Sequence, residues 1–224
     1  RDGETRGGTE GARVSDPGAT GPGDDATLAL LLEVAGTPKP GNVDRRRDLD
    51  DLRFEAFLGG AVGARPGLEL AAQTAAEAGS ADDADGAGDT VAGTGEAFER
   101  AVEGTAARAG TNTQFGCLLL LVPLVRAAED PDFDLSPAGV GAICRATTVD
   151  DAVAFYRAFE RVDVAVDDPP ECVADLDVRR GSDAEPALRE REATLRDVLA
   201  LSADPGDPGT TGDPDRVPDR NAQE

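Results

Sequence analysis

Apolar residues recur at helical spacing through most of residues 25–203. The segment "DATLALLLEVAG" is rich in alanine and leucine and closes at Gly36, with Pro38 two residues on, a combination that ends helices. In "DDLRFEAFLGGAVGA", at 50–64, a broad apolar stripe follows the 3.6-residue period. The segments "GLELAAQTAAEAG" and "GEAFERAVEGTAARAG" are amphipathic and rich in alanine. Each of these four segments is predicted to be helical.

Helix-start signals continue this pattern into the second half of the chain. Ser136 is followed by a proline, and Thr148 has Asp151 three residues on, which is a capping-box pattern. A similar start occurs at Thr194. Alternation typical of strands is scarce, and its best instance is the short "VDVAV" at 162–166. We therefore predict an all-α, single-domain bundle of about seven to nine helices.

Three polar stretches interrupt or flank the helical segments. Residues 1–24 are rich in Gly, Thr, Asp and Pro, and 204–218 read "DPGDPGTTGDPDRVP". We predict a disordered arm at 1–24 and a flexible insertion at 204–218, because neither has enough apolar surface to bury. A third stretch, 79–89, separates two helical segments. The predicted domain is 25–203, and 219–224 would begin a C-terminal segment.

The net charge of the chain bears on the ionic strength at which the protein works. It carries 45 Asp and Glu residues against 22 Lys and Arg, which gives a formal net charge of -23. At molar salt the Debye length falls to about 3 Å, so this self-repulsion would be screened, and we predict adaptation to high salt. An acidic disordered protein is the alternative, but 39% hydrophobic residues in periodic blocks argue against it. Nucleic acid is an improbable partner, because its phosphates would be repelled.

The composition also limits which cofactors the protein could bind and whether it could span a membrane. There is no histidine, and the cysteines Cys117, Cys144 and Cys172 are isolated, so neither a zinc nor a haem site is expected. We interpret them as buried, inert thiols of a cytoplasmic protein. No apolar run approaches the roughly 18 residues of a membrane helix. The sequence does not predict an oligomeric state.

The first candidate for chemistry is "TPKPGNVDRRRDLDD" at 37–51. Two prolines and Gly41 stiffen a loop that holds Lys39, the only lysine in the chain, and Asp44. Arg45, Arg46 and Arg47 follow, and a dense positive run in so acidic a chain is a plausible site for a polyphosphate. The alternative is an ordinary loop whose arginines pair with Asp48, Asp50 and Asp51.

Two further clusters are weaker when taken alone. In "GTNTQFGCLLLLVPL", at 110–124, Asn112 or Thr113 can cap a helix whose backbone N–H groups could bind an anion, although a capped core helix is the simpler interpretation. In "DLDVRRGSDA", at 175–184, Asp177 could bind Mg²⁺ or act as a base. Asp-rich loops also arise by chance in so acidic a protein.

Taken in order, these clusters resemble the triphosphoribosyl-dephospho-CoA synthase family. The resemblance begins with "LLLEVAGTPKPGNVDR" at 30–45, followed by Asp51 and Phe57 six residues apart. It continues with a G-x-N-T-x-x-G motif ahead of an apolar helix. A Y-x-A helix at Tyr156 and the Asp177–Val178 pair come next. A T-L-R helix from Thr194 and a closing "DRNAQE" complete the order. The resemblance covers roughly residues 25–224.

The resemblance implies an all-α transferase that joins ATP to the 2′-hydroxyl of dephospho-CoA and releases adenine. It implies catalytic roles for Asp44, Asp51 and Asp177, and Mg²⁺ bound with ATP at Asp44 and Asp177. The phosphate- and substrate-binding residues it implies are Lys39, Arg45, Arg46, Asn112, Thr113 and Arg179.

Several positions depart from the family pattern. Leu49 stands where members often have a histidine, Gly60 where they often have a serine, and Gln114-Phe115 where some have His-Lys. Another phosphoribosyl-type transfer, on a different nucleotide or acceptor, therefore stays open. So does a non-enzymatic nucleotide-binding helical protein.

Overall fold

A computed structural model describes residues 21–78, 93–169 and 171–203. Across these residues there are eight α-helices and two 3-10 helices and no β-strand, which confirms the all-α prediction. The α-helices are α1 (Pro22–Ala35), α2 (Phe54–Ala78), α3 (Thr94–Ala109), α4 (Phe115–Glu129), α5 (Pro137–Arg145), α6 (Val149–Phe159), α7 (Glu185–Glu190) and α8 (Leu195–Ala203). The 3-10 helices span Glu171–Leu176 and Val178–Ala184.

Several predicted segments fall outside these ranges. The stretch 79–89, the insertion 204–218 and the segment 219–224 lie outside the described residues, as do residues 1–20 of the predicted arm. Helix α1 begins at Pro22, so residues 22–24, which were assigned to that arm, are helical. Proline suits the first helical position because its missing N–H would be unpaired there in any case.

Helix α2 is longer than the sequence pattern indicated. The segments 50–64 and 67–79 were interpreted as separate helices, but α2 continues through Pro66. Proline removes the hydrogen bond to the carbonyl four residues earlier, which here belongs to Val62. Both Pro66 and Val62 are exposed, so water can satisfy the freed carbonyl, and the helix is not interrupted.

Small residues allow α2 and α3 to pack closely. A methyl group at Gly63 would overlap the backbone of Gly104, and one at Gly67 would overlap the backbone at Ala97 and Ala101. The main core beside this pair is formed by larger side chains that are almost completely buried, and these include Leu30, Leu68, Phe98, Leu118 and Tyr156. A smaller cluster of Val34, Val43 and Phe57 lies beneath the loop that joins α1 to α2.

Contacts between helices bring five helix ends together. Helix α3 runs parallel to α6: Gly95 N–H donates to Asp151 Oδ1 at 2.7 Å near the start of both, and Arg157 lies 2.9 Å from Glu99 further along. The end of α1 meets the start of α4, because Gln114 donates to the carbonyl of Leu30 at 2.9 Å. We call the end of the bundle where α1, α3 and α6 finish and α2 and α4 begin the loop end.

Local start signals are confirmed where the sequence placed them. Ser136 caps α5, and Thr148 forms a full capping box with Asp151 at α6. Residues 162–166 form no strand. Cys117 and Cys144 are only partly buried and Cys172 is exposed, so the prediction of three buried thiols was wrong. Within the described ranges, no helix is both long and apolar enough to cross a membrane.

Candidate functional site at the loop end

The loop between α1 and α2 is organised around Asp44. Asp44 Oδ2 accepts hydrogen bonds from the hydroxyl of Thr37 at 2.9 Å and from the N–H of Lys39 at 3.1 Å, and Oδ1 accepts from the N–H of Arg46 at 2.7 Å. The turn is completed at Gly41, whose φ of 75° favours glycine. The loop is therefore held together by hydrogen bonds to one carboxylate, that of Asp44.

Burial and hydrogen bonding give Asp44 an unusual environment for a carboxylate. Its exposed fraction is only 4%. The N–H of Arg46 is the largest influence that holds the pKa of this carboxyl below its ordinary value, followed, after the opposing effect of burial, by the N–H of Lys39 and the hydroxyl of Thr37. Asp44 is thus an ionised side chain whose two oxygens are already committed to its own loop.

Lys39 forms an ion pair with Glu33 in the last turn of α1. The Lys39 ammonium contacts Glu33 Oε1 and donates to the Glu33 carbonyl at 3.3 Å. The second carboxylate oxygen of Glu33 lies 3.5 Å from the amide nitrogen of Gln114. The side chain of Glu33 remains 38% exposed, so the pair lies at the protein surface and can be reached from solvent.

The start of α4 completes this part of the loop end. Gln114 is buried, and both partners of its amide nitrogen are acceptors, which fixes the orientation of the amide. Its carbonyl oxygen and the hydroxyl of Thr113 are buried without a partner among the described residues. Asn112 accepts from the N–H of Phe115 at 3.3 Å and donates to the carbonyl of Asp163 at 3.3 Å. The N-cap of α4 is Gln114, without a side-chain capping bond, so the prediction of Asn112 or Thr113 as the cap was wrong, although Asn112 does bond the first N–H of the helix.

Arg45, Arg46 and Arg47 follow Asp44 in the loop and are exposed. Within the described ranges, none of the three forms an ion pair, so the proposed pairing with Asp48, Asp50 and Asp51 is not observed. Asp48 instead accepts from the N–H of Phe54 at 2.8 Å, at the start of α2. The three guanidinium groups are therefore available to an anion.

The third predicted cluster forms a separate network beyond α6. The guanidinium of Arg179 lies between Asp177, at 2.6 Å, and Asp168, at 2.7 Å. The side chain of Arg179 is the largest influence that lowers the pKa of Asp177. The segment was predicted to be a loop, but it forms the two 3-10 helices, joined at Asp177, which accepts the N–H of Arg179 at 2.9 Å.

The predicted site residues therefore share one end of the bundle but form two networks. Lys39 and Asp44 lie in one, and Asp177 and Arg179 in the other. Asp51 is exposed and forms no hydrogen bond with another described residue. In the part of the chain that the structure describes, no three acidic or cysteine side chains converge as metal ligands. The Mg²⁺ roles of Asp44 and Asp177, which would be completed by substrate phosphates, stay predictions.

A cavity of about 900 Å³ lies between α2, α3, α4, α5 and α6, and no predicted site residue lines it. Its lining includes three arginines and seven carboxylates: Arg100, Arg126, Arg157, Glu69, Glu96, Glu99, Glu103, Asp130, Asp150 and Asp151. Because this excess of negative charge would repel a polyphosphate, the loop end with its exposed arginines is the better candidate for a nucleotide.

Sequence patterns did not identify Glu33 or Gln114 as site residues. Glu33 lies in an alanine- and leucine-rich helix, and Gln114 lies 81 residues away from it. The available signals were the position of Glu33 within the motif at 30–45 and that of Gln114 where some family members have a histidine.

Comparison with known proteins supplies an independent result. The sequence model of a protein family described as ATP:dephospho-CoA triphosphoribosyl transferase matches residues 20–206. This range includes both networks at the loop end. Searches of curated proteins and of solved structures found no match.

Proposed function

Because the chain belongs to the ATP:dephospho-CoA triphosphoribosyl transferase family, a family of enzymes, we propose that it joins the triphosphoribosyl part of ATP to dephospho-CoA with release of adenine. The observation that carries this proposal is the family match over residues 20–206. The arrangement of Lys39 and the three arginines beside an organised loop agrees with it, since a triphosphate requires several cations.

The proposed reaction replaces one bond at the ribose of ATP. The 2′-hydroxyl of dephospho-CoA attacks C1 of that ribose, the bond from C1 to the adenine nitrogen breaks, and adenine leaves. Such a transition state has oxocarbenium character, which nearby carboxylates stabilise, as in sugar hydrolysis. A carboxylate can also take the proton of the attacking hydroxyl.

Residue roles in this proposal follow from the environments at the loop end. Lys39, Arg45 and Arg46 would contact phosphate oxygens, while Asn112 and Thr113 would border the ribose or the acceptor. Asp44 would keep Lys39 and Arg46 in place through the loop backbone. Asp177, held by Arg179, and Asp51, one of several exposed carboxylates between α1 and α2, are the further carboxylates for which the family implies catalytic roles.

Magnesium enters this proposal only as a companion of ATP. Mg²⁺ is commonly bound through one or two carboxylates together with substrate phosphates, and it would supply charge neutralisation there. The described residues gather no three acidic ligands, so no step is assigned to a resident metal.

The direct test is mass spectrometry of products formed from ATP, Mg²⁺ and dephospho-CoA in molar KCl. Free adenine should appear together with a triphosphoribosyl adduct of dephospho-CoA, and omission of either substrate should abolish both. Adenine without the adduct would identify a hydrolase, and a different adduct would identify another acceptor. Either result, or the absence of adenine, would overturn the proposal.

A matched variant tests the location of the site. Lys39→Arg keeps the charge but replaces a compact ammonium with a planar fork, so we expect KM for ATP to rise by about tenfold. Helicity, measured by far-UV circular dichroism, should be unchanged. An unaltered KM would show that Lys39 does not contact ATP.

A further inference from the structure

The proposed transfer requires a carboxylate at the reacting ribose, and the environments at the loop end distinguish the candidates. Asp44 is buried, and its two oxygens accept three hydrogen bonds from its own loop. Asp177 is neutralised by the guanidinium of Arg179. Asp51 is exposed, but no contact joins it to Lys39 or Gln114 among the described residues.

Glu33 differs from all three. Its side chain is 38% exposed and in direct contact with the Lys39 ammonium. Its other oxygen faces the amide of Gln114, which is itself fixed by the carbonyl of Leu30. One side of the carboxylate is thus oriented by two residues of the loop end, and the rest is open to solvent.

The position of Glu33 in the helix is unfavourable for folding alone. It lies two residues before the end of α1 at Ala35, and the last turn of this helix contains no basic residue. A carboxylate there faces the negative end of the helix dipole, and Lys39 from the following loop offsets this. A stabilising role would favour a neutral or basic side chain at this position.

We propose that Glu33 is the catalytic carboxylate of the transfer. This inference rests on the function proposed above. Glu33 accepts the proton of the attacking 2′-hydroxyl as the hydroxyl oxygen bonds to C1 of the ATP ribose. The bond from C1 to adenine breaks, adenine leaves with the bonding electrons, and it takes a proton from solvent. Glu33 then returns its proton to solvent, so atoms and charge balance over the cycle.

Lys39 has two roles in this arrangement. Its ammonium contacts and orients the Glu33 carboxylate, and it lies where a phosphate of the bound nucleotide can share it. The amide nitrogen of Gln114 lies 3.5 Å from the other carboxylate oxygen of Glu33. Lys39 and Gln114 thereby link the phosphate-binding loop to the proton acceptor.

Replacement of Glu33 by Gln removes the charge and keeps the size. We expect kcat for adenine release to fall by about 10²-fold or more. KM for ATP should be unchanged or lower, because a like charge near the triphosphate is removed. The control is Glu55→Gln: Glu55 is an exposed glutamate in the first turn of α2 at the same end, with no partner among the described residues. It should leave kcat unchanged.

Chemical rescue separates catalysis from structural support. In Glu33→Ala, added formate should restore a part of kcat, because a small carboxylate can occupy the vacated space and accept the proton. Formate should not affect the Glu55→Gln control. Loss of activity without rescue in a variant of normal helicity would overturn the catalytic role.

Cys117 provides a readout that does not depend on activity. Burial raises the pKa of its thiol, the charge of Glu33 raises it further, and Lys39 lowers it. Glu33→Gln should therefore make alkylation of Cys117, followed by mass spectrometry, at least about twofold faster. An unchanged rate would show that no ionised Glu33 lies beside Lys39 in solution, and would overturn the inference.

These outcomes distinguish the two levels of the proposal. A wild-type protein that releases no adenine overturns the proposed function together with this role. An active wild-type protein with full kcat in Glu33→Gln overturns only the role of Glu33. A lower kcat with rescue by formate and faster alkylation of Cys117 supports both.

Discussion

The carboxylate of Asp44 accepts hydrogen bonds from its own loop. Oδ1 accepts an N–H and Oδ2 accepts an N–H and a hydroxyl, so both oxygens must be acceptors. An asparagine at this position would turn its NH₂ group towards at least one backbone N–H, whichever way the amide is oriented. Because Asp44 is buried, its replacement cannot be expected to leave the loop unchanged.

For Asp44→Asn we expect faster hydrogen exchange in residues 36–47 and a loss of adenine release of about 10²-fold, the effect of a misplacement near 1 Å. Exchange in α3 and α6 should be unaffected. The control is Asp50→Asn, an exposed position in the same loop with no hydrogen bond in the described ranges. If Asp44→Asn lost activity while exchange in the loop stayed the same, Asp44 would act on the substrate and not through its loop.

The pH dependence of this loop follows from the same contacts. The pKa of Asp44 is lowered from 3.8, chiefly by the N–H of Arg46, so its contribution to stability is fully present above that value. It is lost as pH falls through the lower folded pKa. The protection factors of the loop amides, which correct for the intrinsic pH dependence of exchange, should accordingly stay high at neutral pH and fall only in acid.

Residue-scale features could be predicted from sequence where they are local. Pro38, Pro40 and Gly41 indicated a stiff loop, and the structure shows a hydrogen-bonded turn there, with positive φ at Gly41. The partners of Lys39 could not be predicted in this way. Gln114 reaches Glu33 and Leu30 across 81 and 84 residues, and only the packing of α1 against α4 brings them together.

The helices could be predicted from the sequence where their ends carry local capping signals. The caps at Ser136 and Thr148 are formed as the sequence indicated, because a side-chain oxygen meets an N–H three residues on in both cases. The interpretation of 50–64 and 67–79 as separate helices was wrong, because α2 continues through the exposed Pro66. Which face of a helix a proline occupies is a property of the packed bundle and not of the local sequence.

The loop between α1 and α2 presents three exposed arginines, Arg45, Arg46 and Arg47, to solvent. Replacement of Arg45, Arg46 and Arg47 by Glu should raise KM for ATP by at least about tenfold and make it less dependent on salt. Replacement by Gln should give an intermediate KM. Since none of the three is ion-paired in the described ranges, helicity should be retained. Loss of helix on charge reversal would show that these side chains support the fold.

At the scale of the whole molecule, a modest core is combined with a large excess of negative charge. Much of the core is alanine, and the close contact of α2 with α3 depends on glycine, so few large side chains contribute to burial. Ion pairs among the described residues are mostly at exposed positions, where each typically contributes up to about 1 kcal/mol. The repulsion within a chain of net charge -23 opposes these contributions.

We therefore expect the fold to require salt. Far-UV circular dichroism during dilution of KCl should show loss of helix well before salt-free buffer, because the Debye length lengthens from about 3 Å at 1 M to about 10 Å at 0.1 M. A divalent salt screens more strongly, so MgCl₂ should preserve helicity at a much lower concentration than KCl.

A non-ionic osmolyte serves as the control, because it favours burial without screening charge. Full helicity at about 50 mM KCl would contradict a role for screening. Equal protection by the osmolyte would attribute the effect to solvent exclusion and not to charge.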